Sequence, residues 1–237
     1  MTLPKIYGMN ESSEMGINIF APSIFLGGCN LRCPYCMNYK LLDKTNLTEI
    51  PLSKIKEYII DNNCKWINVS GGEPTCVGDD KLKNLLTELK GWNCKIGMAT
   101  NGTKSKTLKE IISLLDYVAL DIKTTDHSIY ESLNRGQSSF LIDVLTSQTI
   151  LAEEKNARKK FDYEIRTTLF PPFINKKTLK DIGSIIRKKD KWVLQKFRNN
   201  VETLYGCKDI VPYNDKEVSD LLKIAKRITK NAVLREI

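Results

Sequence analysis

The sequence predicts an α/β protein, a partial (β/α)6 TIM-like barrel formed by a single domain that spans residues 1–237. Short apolar runs that suit buried strands alternate along the chain with segments whose apolar residues recur at helical spacing. No linker rich in glycine, serine or proline separates the two halves. Because right-handed crossovers curl a series of parallel strands into a barrel or a doubly wound sheet, we expect the barrel core over about 23–198 and a final helix and strand over about 215–236.

The strands are predicted from apolar and β-branched runs. The first residues, Met1 to Gly16, are too mixed to assign, and an edge element is expected at Ile17, Ile19 and Phe20. The six barrel strands are Ser23 to Leu26, Trp66 to Val69, Lys95 to Met98, Tyr117 to Ile122, Tyr163 to Leu169 and Trp192 to Phe197. A last strand is predicted at Val233 to Arg235.

Helices are predicted between the strands from apolar residues three and four positions apart. They cover Ile55 to Ile59, Leu82 to Leu89, Leu108 to Leu115, Phe140 to Glu154, Leu179 to Ile186 and Val218 to Ile228. Pro51 suits the first turn of the first helix, where no backbone donor is needed. Asp215 is the predicted N-cap of the last helix, since its carboxylate can accept from first-turn amides.

The composition limits the settings in which the protein can work. A length of 237 residues, with 41% hydrophobic and 27% charged residues, is ordinary for a globular chain. No apolar run approaches the ~18 residues needed to cross a bilayer, and the amino terminus lacks the apolar segment of an export signal. We therefore expect a cytoplasmic protein with no membrane partner.

The net charge of +9 arises from 37 basic and 28 acidic residues. It is locally concentrated at Lys155 to Lys160 and at Arg187 to Lys191. Such runs are either solvated helix faces and loops or a surface for an acidic partner. We do not expect nucleic acid to be that partner.

Three of the seven cysteines, Cys29, Cys33 and Cys36, lie within one octapeptide of a loop that covers 27–40. This spacing lets three thiolates hold three irons of a 4Fe–4S cube and leave the fourth iron open. A structural zinc site is disfavoured, because there is no second C-x-x-C and the only histidine is the isolated His127. Disulfides are disfavoured by the odd cysteine count and the close spacing. The other thiols fit no ferredoxin spacing and are predicted to be packed: Cys64, Cys76, Cys94 and Cys207.

Polar residues and glycines follow the ends of the predicted strands, where the functional groups of a barrel converge. In strand order they are Gly71, Gly72 and Glu73, then Thr100 and Asn101, then Asp121 and Lys123, then Arg166 and Thr168, and finally Gln195 and Phe197. Adjacent glycines allow a ligand to approach the backbone, although a tight turn would also need them. Residues two apart share a strand face, so Asp121 and Lys123 point at one ligand or at each other. The later pairs could also be ordinary packing.

The octapeptide, the strand before it and the following Met37-Asn38 resemble the cluster loop of the radical S-adenosylmethionine superfamily. The resemblance implies one [4Fe-4S] cluster on the three cysteines and S-adenosyl-L-methionine on its open iron. One electron would then cleave the cofactor to methionine and a 5′-deoxyadenosyl radical. It also implies that Gly72 and Glu73, in a G-G-E-P motif, hold the methionine amino group. Tyr35 is expected near the adenine, or else packed against the loop.

The later strands resemble those of enzymes that activate glycyl-radical enzymes. The D-x-K of Asp121 and Lys123 is implied to bind S-adenosylmethionine. The R-T-T at 166–168 and the Q-x-F at 195–197 are similar to the activating proteins of anaerobic ribonucleoside-triphosphate reductase. The resemblance implies hydrogen abstraction from a glycine of that partner, with a flavodoxin- or ferredoxin-type protein as electron donor.

Two residues depart from this resemblance. Met37 stands where activating enzymes commonly have histidine, and Ala99 stands where they often have an acid that contributes to a monovalent-cation site. Two alternatives therefore stay open. The partner could be another glycyl-radical enzyme, such as pyruvate formate-lyase. The protein could instead modify RNA or a small molecule, as a 7-carboxy-7-deazaguanine synthase does, although that family usually has a longer first spacing in its cluster loop.

Overall fold

The structure, a computed structural model, describes residues 2–16, 19–43 and 47–236. Its strands are β1 (Ile6–Gly16), β2 (Ile19–Leu26), β3 (Trp66–Gly71), β4 (Lys95–Thr100), β5 (Tyr117–Asp121), β6 (Asp162–Thr168), β7 (Trp192–Gln195) and β8 (Ala232–Arg235). Its α-helices are α1 (Leu52–Asp61), α2 (Asp79–Lys90), α3 (Ser105–Ile111), α4 (His127–Leu133), α5 (Leu141–Ala157), α6 (Lys176–Ile185) and α7 (Asp215–Ile228). Short 3₁₀ helices lie at Tyr39–Leu42, Pro74–Cys76, Ile112–Leu114 and Cys207–Asp209.

These strands form one sheet whose spatial order is the chain order from β1 to β8. The first two strands are antiparallel, and every later pair of neighbours is parallel. The sheet curves into a half-barrel, which confirms the predicted partial barrel. Its registers set Asp121 beside Arg166 and Thr168 beside Gln195, so the polar strand ends meet at one rim.

Helices cover the outer face of the sheet with apolar stripes. In α2 the fully buried residues Leu82, Leu86 and Leu89 recur at helical spacing and join the main core. Burial of each such side chain contributes about 2 kcal/mol. Asp79 and Asp80 lie in the first turn, where the positive end of the helix dipole stabilises their negative charge. The apolar periodicity therefore determines which face of α2 is buried, and the acidic first turn marks where the helix begins.

The strand β1 was not predicted from the sequence. Its pairing with β2 shifts register between Ile6 and Gly8, between Asn10 and Ser13, and between Glu14 and Gly16. Each irregularity reverses which side chains face inward, so the alternating pattern that marks a strand is lost. Of the predicted edge element, Ile19 and Phe20 belong to β2, and Ile17 lies outside the described residues.

The end of β1 crosses the interior of the half-barrel. Met15 is buried against Tyr117 and Ala119 of β5. A Cβ atom added to Gly97 of β4 would lie 1.7 Å from the Met15 sulfur, so the glycine makes room for this crossing. The interior of the half-barrel near the amino end of β5 is therefore filled by β1.

A buried ion cluster joins the two outermost strands of the sheet. Arg235 of β8 forms two hydrogen bonds with Glu164 of β6, at 2.7 and 3.0 Å, and an ion pair with Glu14 of β1 at 3.1 Å. The hydroxyl of Tyr117 donates to Glu164 at 2.9 Å. Because Glu164 is fully buried, this complete set of partners offsets the cost of its desolvation.

Several predicted helix limits differ from the structure. The helix α4 was missed, because its seven residues span too few turns to show a period. The N-cap of α7 is Asn214 rather than Asp215, since Asn214 accepts from the Glu217 amide while Glu217 bonds back to Asn214 in a capping box. Pro51 is the N-cap of α1 rather than part of its first turn. The predicted helix through Leu115 tightens to a 3₁₀ turn after Ile111.

Among the described residues, none of the helices has the length and apolar character needed to cross a membrane.

Candidate active site

A cavity of about 280 Å³ opens at the carboxyl ends of the parallel strands. The predicted site residues all line it: Cys29, Cys33, Tyr35, Cys36, Met37, Asn38, Gly71, Gly72, Glu73, Thr100, Asn101, Asp121, Lys123, Arg166, Thr168, Gln195 and Phe197. The wall also includes Ala99, which departs from the resemblance, and four residues that were not predicted: Leu31, Ser70, Lys196 and Arg198. The structure thus brings the residues predicted from the strand ends together around one cavity, and the additional residues are close to predicted ones in the sequence.

The loop that carries the three cysteines is held from several sides. The amide of Gly28 donates to Leu41 at 2.7 Å, and the amide of Arg32 donates to Leu133 of α4 at 2.8 Å. Within the loop, the Cys36 amide donates to the carbonyl of Cys33 at 3.0 Å. The Leu204 amide donates to the Cys36 carbonyl at 3.1 Å. The sulfurs are therefore presented by a backbone that other segments fix.

The thiols of this loop are free; Cys33 is buried, and Cys29 and Cys36 are half-buried. Burial raises the pKa of Cys33 to about 11, and it also raises the pKa values of Cys29 and Cys36. Because partial removal from water disfavours the thiolate form, a positively charged centre is needed to stabilise it, and iron–sulfur clusters are held by cysteine thiolates. The donor set and its burial therefore fit a [4Fe-4S] cluster.

The paired glycines bring the end of β3 against the cluster loop. A Cβ atom at Gly72 would lie 2.2 Å from the carbonyl oxygen of Gly28, and one at Gly71 would lie 2.4 Å from the backbone of Leu26. The Glu73 amide donates to the Gly28 carbonyl at 2.8 Å. The glycines are thus required where two backbones of the protein touch, and the approach of a ligand to them stays a prediction.

The carboxylate of Glu73 is buried, with 1% of the residue exposed, and links two strand ends. It accepts from the hydroxyls of Thr75 and Thr100, each at 2.7 Å, and from the amide of Asn101 at 2.6 Å. Burial raises its pKa, while these hydrogen bonds favour the charged form. The side chain therefore fixes the turn after β4 relative to the turn after β3.

Asn101 is oriented by its neighbours. Its side-chain oxygen accepts from the amide and hydroxyl of Thr103, at 3.0 and 2.7 Å. Its side-chain nitrogen is directed to Asn30 Oδ1 at 3.1 Å and to the sulfur of Cys29 at 3.8 Å. The amide group thus presents a donor to one of the cluster cysteines.

Opposite the cysteines, three charged side chains meet. Arg166 Nε lies 2.6 Å from Asp121 Oδ1, and Lys123 Nζ lies 3.6 Å from Asp121 Oδ2. Burial acts to raise the pKa of Asp121, but the two cations outweigh it and hold the pKa below its ordinary value. The internal ion pair left open by the sequence is present, and the group carries one positive charge in excess at the cavity wall.

Tyr35 packs into an aromatic group beside the cavity. Its ring centroid lies 4.8 Å from that of Phe170, which in turn lies 5.0 Å from the rings of Phe173 and Phe197. Lys123 Nζ lies 5.9 Å from the Tyr35 ring centroid. Phe170 and Phe173 were not predicted as site residues. These two phenylalanines flank a Pro-Pro pair shortly after β6, and such a sequence is typical of an ordinary turn.

Comparisons with known proteins agree with this geometry. The Radical SAM superfamily model matches residues 23–188. A candidate glycyl-radical enzyme activating enzyme of Methanocaldococcus jannaschii is 30% identical over 219 residues, which cover 90% of this chain and 88% of that protein. A 7-carboxy-7-deazaguanine synthase of Methanothermobacter thermautotrophicus is 32% identical over 132 residues, which cover 54% of this chain and 52% of that enzyme.

A solved domain of the pyruvate-formate lyase-activating enzyme from Bacteroides vulgatus shares the fold. The TM-score is 0.54 at 15% sequence identity, and the match covers 71% of this chain and 97% of that domain. The family model, for its part, includes the cysteine loop and the strand ends that line most of the cavity. The chain therefore belongs to the radical S-adenosylmethionine superfamily of enzymes.

Proposed function

We propose that this protein is an activating enzyme that installs a glycyl radical on a partner enzyme, and that the partner is an anaerobic ribonucleoside-triphosphate reductase. The observation that carries the proposal is that the three cysteines and the charged group of Asp121, Lys123 and Arg166 line the same cavity. The relative in Methanocaldococcus jannaschii supports the class of activity, since the similarity covers almost the whole of both chains.

Cys29, Cys33 and Cys36 would hold one [4Fe-4S] cluster. When bound and reduced, the cluster supplies the electron that cleaves S-adenosyl-L-methionine to methionine and a 5′-deoxyadenosyl radical. The remaining roles belong to the protein. We also propose that the enzyme consists of a single domain and works in the cytoplasm. Its electron donor would be a flavodoxin- or ferredoxin-type protein.

The charged group would position the cofactor. Lys123 and Arg166 offer more positive charge than Asp121 neutralises, which favours a ligand carboxylate at this wall. Asp121 retains oxygen lone pairs that can accept from ribose hydroxyls. The backbone beside Gly72 and Glu73 would bind the methionine amino group, and Tyr35 would lie against the adenine.

The aromatic group formed by Tyr35, Phe170, Phe173 and Phe197 would keep water away from the reacting atoms. A carbon radical abstracts hydrogen only from a neighbour within contact distance, so the partner's glycine Cα must be brought to the cavity mouth. The pairs Arg166 with Thr168 and Gln195 with Phe197 line the cavity together. Their resemblance to the reductase-activating proteins supports the reductase as partner rather than pyruvate formate-lyase.

The proposal is tested by electron paramagnetic resonance. The reconstituted, reduced protein is mixed with S-adenosylmethionine and an anaerobic ribonucleotide reductase, and a glycyl radical signal is expected. A Cys33→Ala variant should give none. A signal with pyruvate formate-lyase and none with the reductase would overturn the partner and leave the reaction class intact.

A second candidate is the modification of a small molecule. The similarity to a 7-carboxy-7-deazaguanine synthase favours it, although that similarity covers only about half of each chain. The two functions differ in what the protein needs as substrate. Formation of the deazaguanine product from its small-molecule precursor, with no radical on any protein partner, would favour this second candidate.

A further inference from the structure

A second cavity, about 830 Å³ in volume, opens at the amino-terminal ends of β6, β7 and β8. It therefore lies at the end of the barrel opposite to the proposed active site. Its walls come from the last turns of α5, from the loop 187–191 between α6 and β7, and from the turn before β8. We call this cavity the basic cleft, and it has no part in the function proposed above.

The basic cleft gathers positive charge from three separate segments. Its basic residues are Lys155, Arg187, Lys188, Lys189, Lys191 and Lys230. Among the residues that the structure describes, only two carboxylates, Asp162 and Asp190, line the same space. The fold thus brings members of both basic runs of the sequence to one concave surface. A solvated helix face, which was the other interpretation of these runs, would not concentrate them in this way.

Both carboxylates are already engaged. Asp162 forms a hydrogen-bonded ion pair with Lys191 and an ion pair with Lys155 at 3.3 Å. Asp190 accepts from the Tyr163 hydroxyl at 2.6 Å and from the Arg187 amide at 2.9 Å. The two carboxylates offset only part of the charge of the six cations, and neither forms an ion pair with Arg187, Lys188, Lys189 or Lys230.

Four cations of the cleft are left for a ligand. Within the described ranges, no ion pair with a carboxylate is formed by Arg187, Lys188, Lys189 or Lys230. All four side chains are exposed. Like charges held close together repel each other, and a multivalent anion removes that repulsion.

The loop that carries three of these cations is fixed by hydrogen bonds. The single hydroxyl hydrogen of Thr229 is shared between the carbonyl of Asp190, at 2.8 Å, and that of Lys188, at 3.1 Å. The side-chain nitrogen of Asn231 donates to the carbonyl of Lys189 at 3.1 Å. A fixed backbone lowers the entropy that binding must overcome, so these cations are better prepared for a ligand than those of a mobile loop.

We propose that the basic cleft binds a small molecule that carries a polyphosphate, for which a nucleoside triphosphate is representative. The cleft volume lies within the range of about 300–1,000 Å³ that is typical of small-molecule sites. Arg187 and the lysines beside it would bind phosphate oxygens, with Lys230 approaching from the opposite loop. The amides of Asn156 and Asn231 would offer hydrogen bonds to the rest of the ligand.

The test uses the cluster-loaded protein and isothermal titration calorimetry under anaerobic conditions. The probes are ATP, tripolyphosphate, adenosine and a single-stranded oligonucleotide. The cleft variant is Arg187→Gln/Lys189→Gln. The matched control, Lys106→Gln/Lys109→Gln, removes the same charge from exposed positions of α3. A Lys230→Gln variant tests the opposite loop separately, and thermal unfolding checks that each variant is folded.

ATP and tripolyphosphate are expected to bind at one site per chain, more weakly as salt rises, while adenosine does not bind. The cleft variant should bind both anions at least tenfold more weakly, which corresponds to about 1.4 kcal/mol. The Lys230→Gln variant should also bind both anions more weakly than the unmodified protein. The control should match the unmodified protein. Equal losses in control and cleft variants, or no binding of either anion, would overturn the proposal. Tighter binding of the oligonucleotide than of ATP would replace the small molecule with a nucleic acid.

Discussion

The side-chain nitrogen of Asn101 lies 3.8 Å from the sulfur of Cys29. The contact is fixed from two sides, because Glu73 accepts from the Asn101 amide and Thr103 donates to its side-chain oxygen. Hydrogen bonds to cysteine sulfur are one of the means by which proteins set the potential of an iron–sulfur cluster. Asn101 is thereby placed to influence electron transfer as well as cofactor binding.

An Asn101→Leu variant should have a lower cluster reduction potential, because a donor that stabilises the more negative, reduced cluster is lost. A hydrogen bond worth about 1 kcal/mol corresponds to a shift on the order of 40 mV for one electron. The shift is measured by redox titration with electron paramagnetic resonance. Thr107→Val, which removes the hydroxyl that bonds Asp79, is the control and should leave the potential unchanged.

Removal of a cluster cysteine should abolish iron binding. Reconstituted protein is expected to hold about four irons per chain, and Cys33→Ala is expected to hold less than half of that. Cys94→Ala should retain the full content, since Cys94 is buried beside the Leu89 carbonyl, away from the cavity. Iron and sulfide analysis gives the answer. Equal loss in both variants would remove the three-cysteine site from consideration.

Gly72→Ala should disturb the cluster loop through the backbone of Gly28, which a Cβ atom would approach to 2.2 Å. We expect a loss of about 2 kcal/mol in stability together with reduced cluster content. Gly91→Ala is the matched control, because its Cβ atom would meet only the Glu88 carbonyl at 3.2 Å and its φ is −65°. Full iron content and unchanged stability in Gly72→Ala would contradict the close contact.

Asp121→Asn should reduce stability by about 2 kcal/mol at neutral pH, because it leaves Arg166 and Lys123 without their anion. The pKa of Asp121 is lowered in the folded protein, so its contribution is fully present above the ordinary value of 3.8. As the pH falls through the lower, folded pKa, the contribution disappears. Urea unfolding of both proteins as a function of pH should show curves that converge only in this acidic range.

Arg235→Met should be the most destabilising of these changes, by about 3–5 kcal/mol, since Glu164 would remain buried without a cation. The double variant Glu164→Gln/Arg235→Met should recover part of that loss, because the only carboxylate that then loses its cation is the partly exposed Glu14. Denaturant unfolding measures both. A double variant that is less stable than Arg235→Met would indicate that Glu164 finds another cation.

The parts of the fold that sequence reasoning located are those whose signal is local. The close spacing of Cys29, Cys33 and Cys36 and the polar pairs directly after strands are visible without any distant contact. The missed parts depend on partners far along the chain. Met15 of β1 is positioned by the space above Gly97, and Glu73 bonds to the turn after β4. No pattern within β1 itself could show that Met15 packs above Gly97. No motif around Glu73 could show that its carboxylate bonds to the turn after β4.

The ion pair between Glu14 and Arg235 also constrains how the protein can be made. These residues are separated by almost the whole described chain, so the contact cannot form on the ribosome until Arg235 has emerged. Closing so long a loop is slow, and it follows the appearance of the cysteine loop by about 200 residues of synthesis. The contact between the two outermost strands is therefore made only after the cysteine loop and the polar strand ends of β3 to β7 have all been synthesised.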